Sequence, residues 1–478
     1  MLRTIALVWL LGAVSSVQAW EQAPPAASDA VPGSELSRET LGKLYQTELG
    51  PLYKPELSER LLQAHGLIEK FFAERQANAR KQIIQQIAAS QLDANVLGRI
   101  TRIRSNWQPL QPGIYYTNER VGPHAVSYFL GVPKGYDLTK AWPLVIKLPG
   151  AHAFVTDPKP TSDEVVQIYT GWVRDELSNH PDAVVLMPLL NLDELWGPSY
   201  TGMNNVIQPL HHVAGRLNID PARVYIVGQG MSAHAAWNLA IHYPTYLAAI
   251  NPLAGGMAGW QKIRIVNLRN VYCVVWHDAD DQIVRVDLSR DIVRLLKQNN
   301  YNFVYEETKG VGHAPSDELA DRLYKQMRTR TRELYPKEVV LASNRPDTLF
   351  NRSDWVQVFE QLAAGGEQRY RFQHGSGVVQ MSDNSYRIAA TLAGRNRIEV
   401  KSANVEAMRF YLNDQMVDFS KAVTVVVNGR VRFEGLVKQD LEAMLTDQVL
   451  LGRGWRYFSG YAEVDFGKTP ATTAPVGR

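Results

Sequence analysis

Three short stretches of this chain carry the residue types that nucleophilic catalysis needs. The first is Arg223-Val-Tyr-Ile-Val-Gly-Gln-Gly-Met-Ser-Ala-His-Ala-Ala-Trp237, where a β-branched run ends at Gly228, a small-residue turn follows and a helical pattern begins. Such a junction sets one residue at a strained tip with its side chain exposed. The second is His277-Asp-Ala-Asp-Asp-Gln-Ile-Val284, directly after an apolar run, and the third is Gly310-Val-Gly-His-Ala314. Acyl transfer needs a nucleophile on a sharp turn, a histidine base, a carboxylate that orients it and backbone donors for the oxyanion. Asp281 and His313 supply the acid and the base. The tip itself is Gly230, and the nearest hydroxyl belongs to Ser232. Sliding the motif by two residues would make Ser232 a displaced nucleophile. At that place it starts the helix as an N-cap or first-turn residue, where its hydroxyl satisfies backbone donors and its role is capping or buried.

Other polar groups read as structural. Asp278, Asp280 and Asp281 offer hard oxygen ligands, but without a repeat of ligands at set spacing a divalent cation is not expected. His211 and His212 are adjacent on a helical stretch, so their rings point to different faces and do not chelate. His152 reads as an exposed loop residue. The single cysteine, Cys273, excludes an intramolecular disulfide and lies in the apolar run Val271–Trp276, which suits a buried strand. No cofactor motif is present.

The elements that must position these residues alternate between about 110 and 335. Strands are expected at His124–Val132, Pro143–Leu148, Ala183–Met187, Arg223–Val227, Val271–Trp276 and Phe303–Glu307. Helices are expected at Glu164–Ser178, Met203–Leu217, Ser232–His242, Asp287–Gln298 and Ser316–Leu334. Alternation of this kind argues for a mostly parallel sheet covered on both faces. Ahead of it, residues 37–109 repeat Leu61, Leu62, Leu67, Ile68, Phe71 and Phe72 near a helical period, which predicts a helical region packed on the main domain. Residues 336–370 read as a connecting segment. Residues 371–467 hold short strand patterns, with Asn428-Gly429 as a two-residue hairpin turn, and predict a small β-sandwich-like domain.

The 478 residues are 45% apolar and 21% charged, with a net charge of +3, as in an ordinary globular protein with no electrostatic footprint for nucleic acid. Residues 1–19 have a positive start, the apolar stretch Thr4–Val17 and small residues before Trp20, which predicts a signal peptide and a secreted or periplasmic protein. No other stretch is apolar enough for a stable membrane span. Residues 20–36 read as a Pro/Ala/Ser linker and 468–478 as a disordered tail.

Residues 110–335 resemble the α/β-hydrolase superfamily, in particular secreted serine esterases of the polyhydroxybutyrate-depolymerase, feruloyl-esterase and dienelactone-hydrolase type. Asp281 and Val284 match the acid loop of those families, and Gly310, Gly312 and His313 match the base loop. Asn218–Tyr225 resembles the lead-in to their nucleophile strand, and Leu144–Gly150 the strand before their oxyanion loop. The resemblance implies an α/β-hydrolase fold, a small ester or polymer-linked substrate or ligand, and an oxyanion pocket at Gly150, Ala151 and Met231. It also exposes departures. Gly230 stands at the serine position, Pro149 replaces the oxyanion-loop histidine, and Ala233-His234 replaces small residues. Trp237 keeps the family register when Gly230 is central. The resemblance therefore implies a carboxylic-ester hydrolase that is weakly active or inactive, or a pseudo-hydrolase that binds a ligand or polymer.

Overall fold

The computed structural model describes residues 17–19, 36–121, 124–150, 162–189, 200–343, 350–361, 368–374, 377–383 and 385–466. Most of the expected leader, linker and tail lies outside the described residues, as do Ala151 and His152. The largest unit is a nine-stranded sheet. Its strands are β1 (Val17–Ala19), β2 (Gly113–Val121), β3 (His124–Val132), β4 (Trp142–Leu148), β5 (Val184–Pro188), β6 (Ile219–Gln229), β7 (Ala249–Leu253), β8 (Tyr272–Asp278) and β9 (Phe303–Thr308). They lie in the order β1-β2-β3-β5-β4-β6-β7-β8-β9. β3 runs antiparallel to β2 and β5, and the pairs from β5 to β9 are parallel. β1 pairs parallel with Ile114–Tyr116, although it falls in the stretch read as a leader.

Every residue of β5, β7 and β8 is buried, as expected of parallel strands covered on both faces. Cys273 sits among them, fully buried, and burial pushes its thiol pKa up. β2 and β7 were not expected from the sequence. β7 is the short run Ala-Ile-Asn-Pro-Leu, whose Asn251-Pro252 breaks the apolar pattern. Only pairing on both sides, with β6 and β8, makes it a strand. The covering helices are α5 (Ser162–Asn179), α6 (Tyr200–Arg216), α7 (Met231–His242), α8 (Asp287–Gln298) and α9 (Asp317–Arg328). α9 is shorter than the helix expected over Ser316–Leu334. Beyond it Arg332 is drawn into a buried ion pair with Asp354, at 2.6 and 2.8 Å, which fixes the chain against the next sheet.

The helices before the sheet are α1 (Arg38–Leu49), α2 (Ser58–Ala73), α3 (Ala77–Ala89) and α4 (Ala94–Ile100). Their apolar stripes form one cluster with Leu61, Ile68 and Phe71 at its centre. That cluster also takes in Met444, Leu445 and Tyr457. The helical region thus packs on the C-terminal part of the chain, a long-range contact that helical periodicity does not reveal.

Strand structure resumes at Glu338, inside the stretch read as a connecting segment. A five-stranded sheet is built from β10 (Glu338–Ser343), β15 (Tyr386–Gly394), β16 (Arg397–Ala403), β18 (Val423–Val427) and β19 (Arg430–Gly435). A four-stranded sheet is built from β11 (Arg352–Ser353), β12 (Val356–Gln361), β17 (Val405–Leu412) and β20 (Gly460–Asp465). β13 (Gln368–His374) and β14 (Gly377–Asp383) form a separate hairpin, and α10 (Leu441–Leu451) precedes β20. The two larger sheets share a core that includes Val339, Ile388, Val400, Met408, Phe410 and Val425, which makes a β-sandwich. Asn428 and Gly429 both have positive φ, 51° and 78°, between the paired residues Val427 and Arg430, as the hairpin signal requires.

Candidate active site

Three parallel strands, the first separated from the other two by β7, deliver the chemistry-bearing residues at their carboxyl ends. β6 leads into Gly230, β8 into Asp281 and β9 into His313. The turn after β6 is tight. Gly230 has φ 58° and ψ −117° and stands at the N-cap of α7, which begins at Met231. A side chain at Gly228 would meet the Ser232 carbonyl oxygen at 2.2 Å, so the first turn of α7 lies directly on the strand end.

Asp281 is held by its own loop. Its Oδ1 accepts hydrogen bonds from the Ile283 and Val284 N–H groups at 2.8 and 3.0 Å. Its Oδ2 lies 2.8 Å from His313 Nδ1. Burial alone would raise the carboxyl pKa, but the Val284 N–H, His313 and the Ile283 N–H outweigh it, and the pKa is lowered. An ionised Asp281 therefore holds His313 with Nδ1 protonated and Nε2 as the free base. The other end of that residue is also fixed, because Gln229 Nε2 donates to the His313 carbonyl at 3.0 Å.

The imidazole points at Gly230. A Cβ built on Gly230 would lie 2.8 Å from His313 Nε2 and 3.2 Å from Cε1. The base thus faces the tip of the turn, closer than a Cβ could stand without the ring moving, and the tip carries no side chain.

Ser232 does not stand in for it. It is fully buried, and its hydroxyl donates to the Pro149 carbonyl at the end of β4. Of the expected capping or buried role, the structure shows the buried one, in the first turn of α7; the expectation that the hydroxyl serves backbone donors is corrected, because it donates to an acceptor just past β4.

Gly150 follows Pro149 next to the same turn. Met231 is the first residue of α7, so its N–H belongs to the group that has no intrahelical acceptor. Ala151, the third residue expected in the oxyanion pocket, lies outside the described residues.

Within the acidic cluster, Asp278 joins two loops. Asp278 accepts from the Asp280 N–H, the Thr308 hydroxyl and the Val311 N–H, at 2.9, 2.8 and 3.0 Å. Burial acts to raise its pKa, but these donors hold it at about 2. It ties the acid loop to the base loop. Among the described residues there is no cluster of three or more metal-ligating side chains.

His277 is a component that sequence reasoning quoted without assigning a role. Its Nε2 lies 2.8 Å from the Val284 carbonyl and 3.2 Å from Asp281 Oδ2, and its Nδ1 lies 2.7 Å from Ser289 Oγ. Burial lowers its pKa and favours the neutral ring. It braces the acid loop from below. Its place at the start of the His277–Val284 motif was the available signal.

An antiparallel β3, a crossover that sets β4 between β5 and β6, and a sharp turn after β6 with acid and histidine after β8 and β9 together decide the architecture. The fold is that of the α/β-hydrolases. No protein-family model and no curated protein matches the chain. Several solved structures are similar to it. A thermostable esterase is 22% identical with a TM-score of 0.38, covering 46% of this chain and 63% of its own. A ferulic acid esterase from Anaeromyces mucronatus is 11% identical with a TM-score of 0.32, covering 48% and 96%. An α/β-hydrolase enzyme from a Medee basin deep-sea metagenome library is 16% identical with a TM-score of 0.31, covering 43% and 85%. The chain spans less than two thirds of the thermostable esterase.

Proposed function

We propose that this α/β-hydrolase-fold protein is an exported member of the carboxylic-ester-hydrolase class that has lost its nucleophile. In this reading it binds a small ester or polymer-linked ligand and turns it over weakly or not at all. The observation that carries the reading is the pairing of an intact base with an empty tip, His313 Nε2 lying 2.8 Å from the Cβ position of Gly230. The buried engagement of Ser232 with Pro149 supports it, because no second hydroxyl is directed at the base from this turn.

Removing the serine of a triad costs about 10⁶ in turnover. The remaining pair can still activate a water, which leaves a slow hydrolysis dependent on His313. Export rests on the character of residues 1–19, a positive start and an apolar stretch before small residues. No helix among the described residues is long and apolar enough to cross a membrane.

The test is covalent labelling with a fluorophosphonate. Wild-type protein is expected to stay unlabelled and Gly230→Ser to label; rapid labelling of the wild type sinks the reading.

A further inference from the structure

A second site lies at the opposite end of α7. That helix runs from Met231 beside His313 to His242, a length of about 18 Å at the α-helical rise. Past its far end is a cavity of about 580 Å³, within the range of small-molecule sites. All three parts of the chain line it. The helical region contributes Phe72 and Arg104, α6 contributes Gln208 and His211, and Tyr246 follows α7. Gln448 comes from α10.

The cavity is lined by three arginines, of which one has no carboxylate partner among the described residues. Arg352 faces it but is paired with Asp447, and Arg453 is paired with Glu69. Arg104 has no carboxylate within ion-pair distance among the described residues. The bond it makes is from Nη2 to the Arg453 carbonyl, at 3.0 Å. Burial, with the neighbouring Arg453 cation, pulls its pKa down to about 9 against the pull of Glu69. Gln448 is 2% exposed; its Oε1 accepts from the Gly454 N–H at 3.0 Å, and its Nε2 amide has no partner among the described residues. His211 adds a third donor. Trp455 Nε1 donates to its Nδ1 at 3.3 Å, which puts the proton of the neutral ring on Nε2. Apolar wall comes from Phe72, Ile207 and the ring of Tyr246, whose hydroxyl is engaged by the Leu451 carbonyl.

We propose that this cavity binds a small organic carboxylate with a flat apolar body, its carboxylate held by Arg104 and its body against Tyr246 and Phe72. One uncompensated guanidinium beside neutral N–H donors matches a single negative charge. A phosphate dianion would keep charge that the site does not neutralise. The planar fork of the guanidinium suits two carboxylate oxygens, and the aromatic walls suit a ring rather than a bare ion. The inference is independent of whether His313 catalyses anything, because the two places lie at opposite ends of α7.

The experiment uses the full chain with benzoate as probe and inorganic phosphate as the comparison, read by calorimetric titration and thermal shift at neutral pH. Benzoate is expected to bind and raise the melting temperature. Arg104→Met is expected to weaken it about tenfold to hundredfold, the effect of losing a hydrogen bond to a charged group. Without ligand, Arg104→Met should still fold, its melting temperature lowered only by loss of the bond to the Arg453 carbonyl and of the attraction of Glu69. The proposal is overturned by failure of millimolar benzoate to bind, by equal affinity in Arg104→Met, or by phosphate binding in its place. Failure of Arg104→Met to fold would also overturn it, by showing that the cation serves the fold.

Discussion

Placing a serine at Gly230 perturbs the site at a single point, and the structure sets the scale of the response. The new Cβ would stand 2.8 Å from His313 Nε2, where ordinary contact needs about 3.4 Å or more, so the ring must withdraw by roughly 0.6 Å. That ring is tethered by Asp281 at 2.8 Å and by the Gln229 bond to its carbonyl. The backbone at φ 58° also becomes costly once a side chain is present. A residue held in that region costs about 1–3 kcal/mol, so Gly230→Ser and Gly230→Ala should both lose stability on this scale in urea denaturation. Their activities should differ. Restoring the hydroxyl can recover up to about 10⁶ in turnover. A misplacement of about 1 Å costs about 10². Gly230→Ser should therefore hydrolyse p-nitrophenyl acetate about 10⁴- to 10⁶-fold faster than wild type and label with fluorophosphonate, while Gly230→Ala does neither. A folded Gly230→Ser with wild-type activity would refute the claim that Asp281 and His313 stand ready as an acid–base pair.

Ser232→Ala removes the hydroxyl that donates to the Pro149 carbonyl and should cost about 0.5–1.5 kcal/mol, yet Gly230→Ser/Ser232→Ala should keep the activity of Gly230→Ser. Loss of that activity would return Ser232 to the chemistry. Arg332→Met strips Asp354 of one of two arginine partners, Arg456 remaining at 3.3 Å, and removes bonds to the Leu247 and Asn270 carbonyls, so equilibrium unfolding should show a loss of about 1.5–3 kcal/mol. His211 is neutral in the fold, its pKa lowered by burial and by Arg104 to about 4 against 6.5 unfolded. The unfolded chain therefore takes the proton first, and stability should fall as pH drops from about 6.5 towards 4. His212, lowered to about 3 by burial and Arg216, acts in the same direction. His211→Gln should reduce that slope in pH-dependent melting, and an unchanged slope would show that His211 is already charged.

Much of the candidate site was legible because it is written locally. Gly228–Ser232 is a strand–turn–helix signal, and the Asp281 and Gly310–His313 loops each follow an apolar strand, so their order along the chain could be read directly. β7 was not legible, since Asn251-Pro252 hides a strand that exists only because β6 and β8 flank it. The fate of the Ser232 hydroxyl depends on Pro149, far away in sequence, and helix-capping logic chose the wrong partner for it. The start of the sandwich at Glu338 was hidden for a similar reason. β10 pairs with β15, and the intervening chain carries no local sign of that pairing.

By itself, then, the sequence determined the chemistry on offer: a carboxylate and an imidazole on consecutive strand-end loops, and a glycine at the turn before them. Residue type and local period set those features, and both are short-range. Only the tertiary structure decided distances. It brought His313 against the bare tip of Gly230, turned Ser232 away to a neighbouring strand, and gathered Arg104, His211 and Gln448 from three parts of the chain around one cavity. Such contacts form where burying apolar surface outweighs the entropy of closing long loops, and that balance is a property of the whole fold.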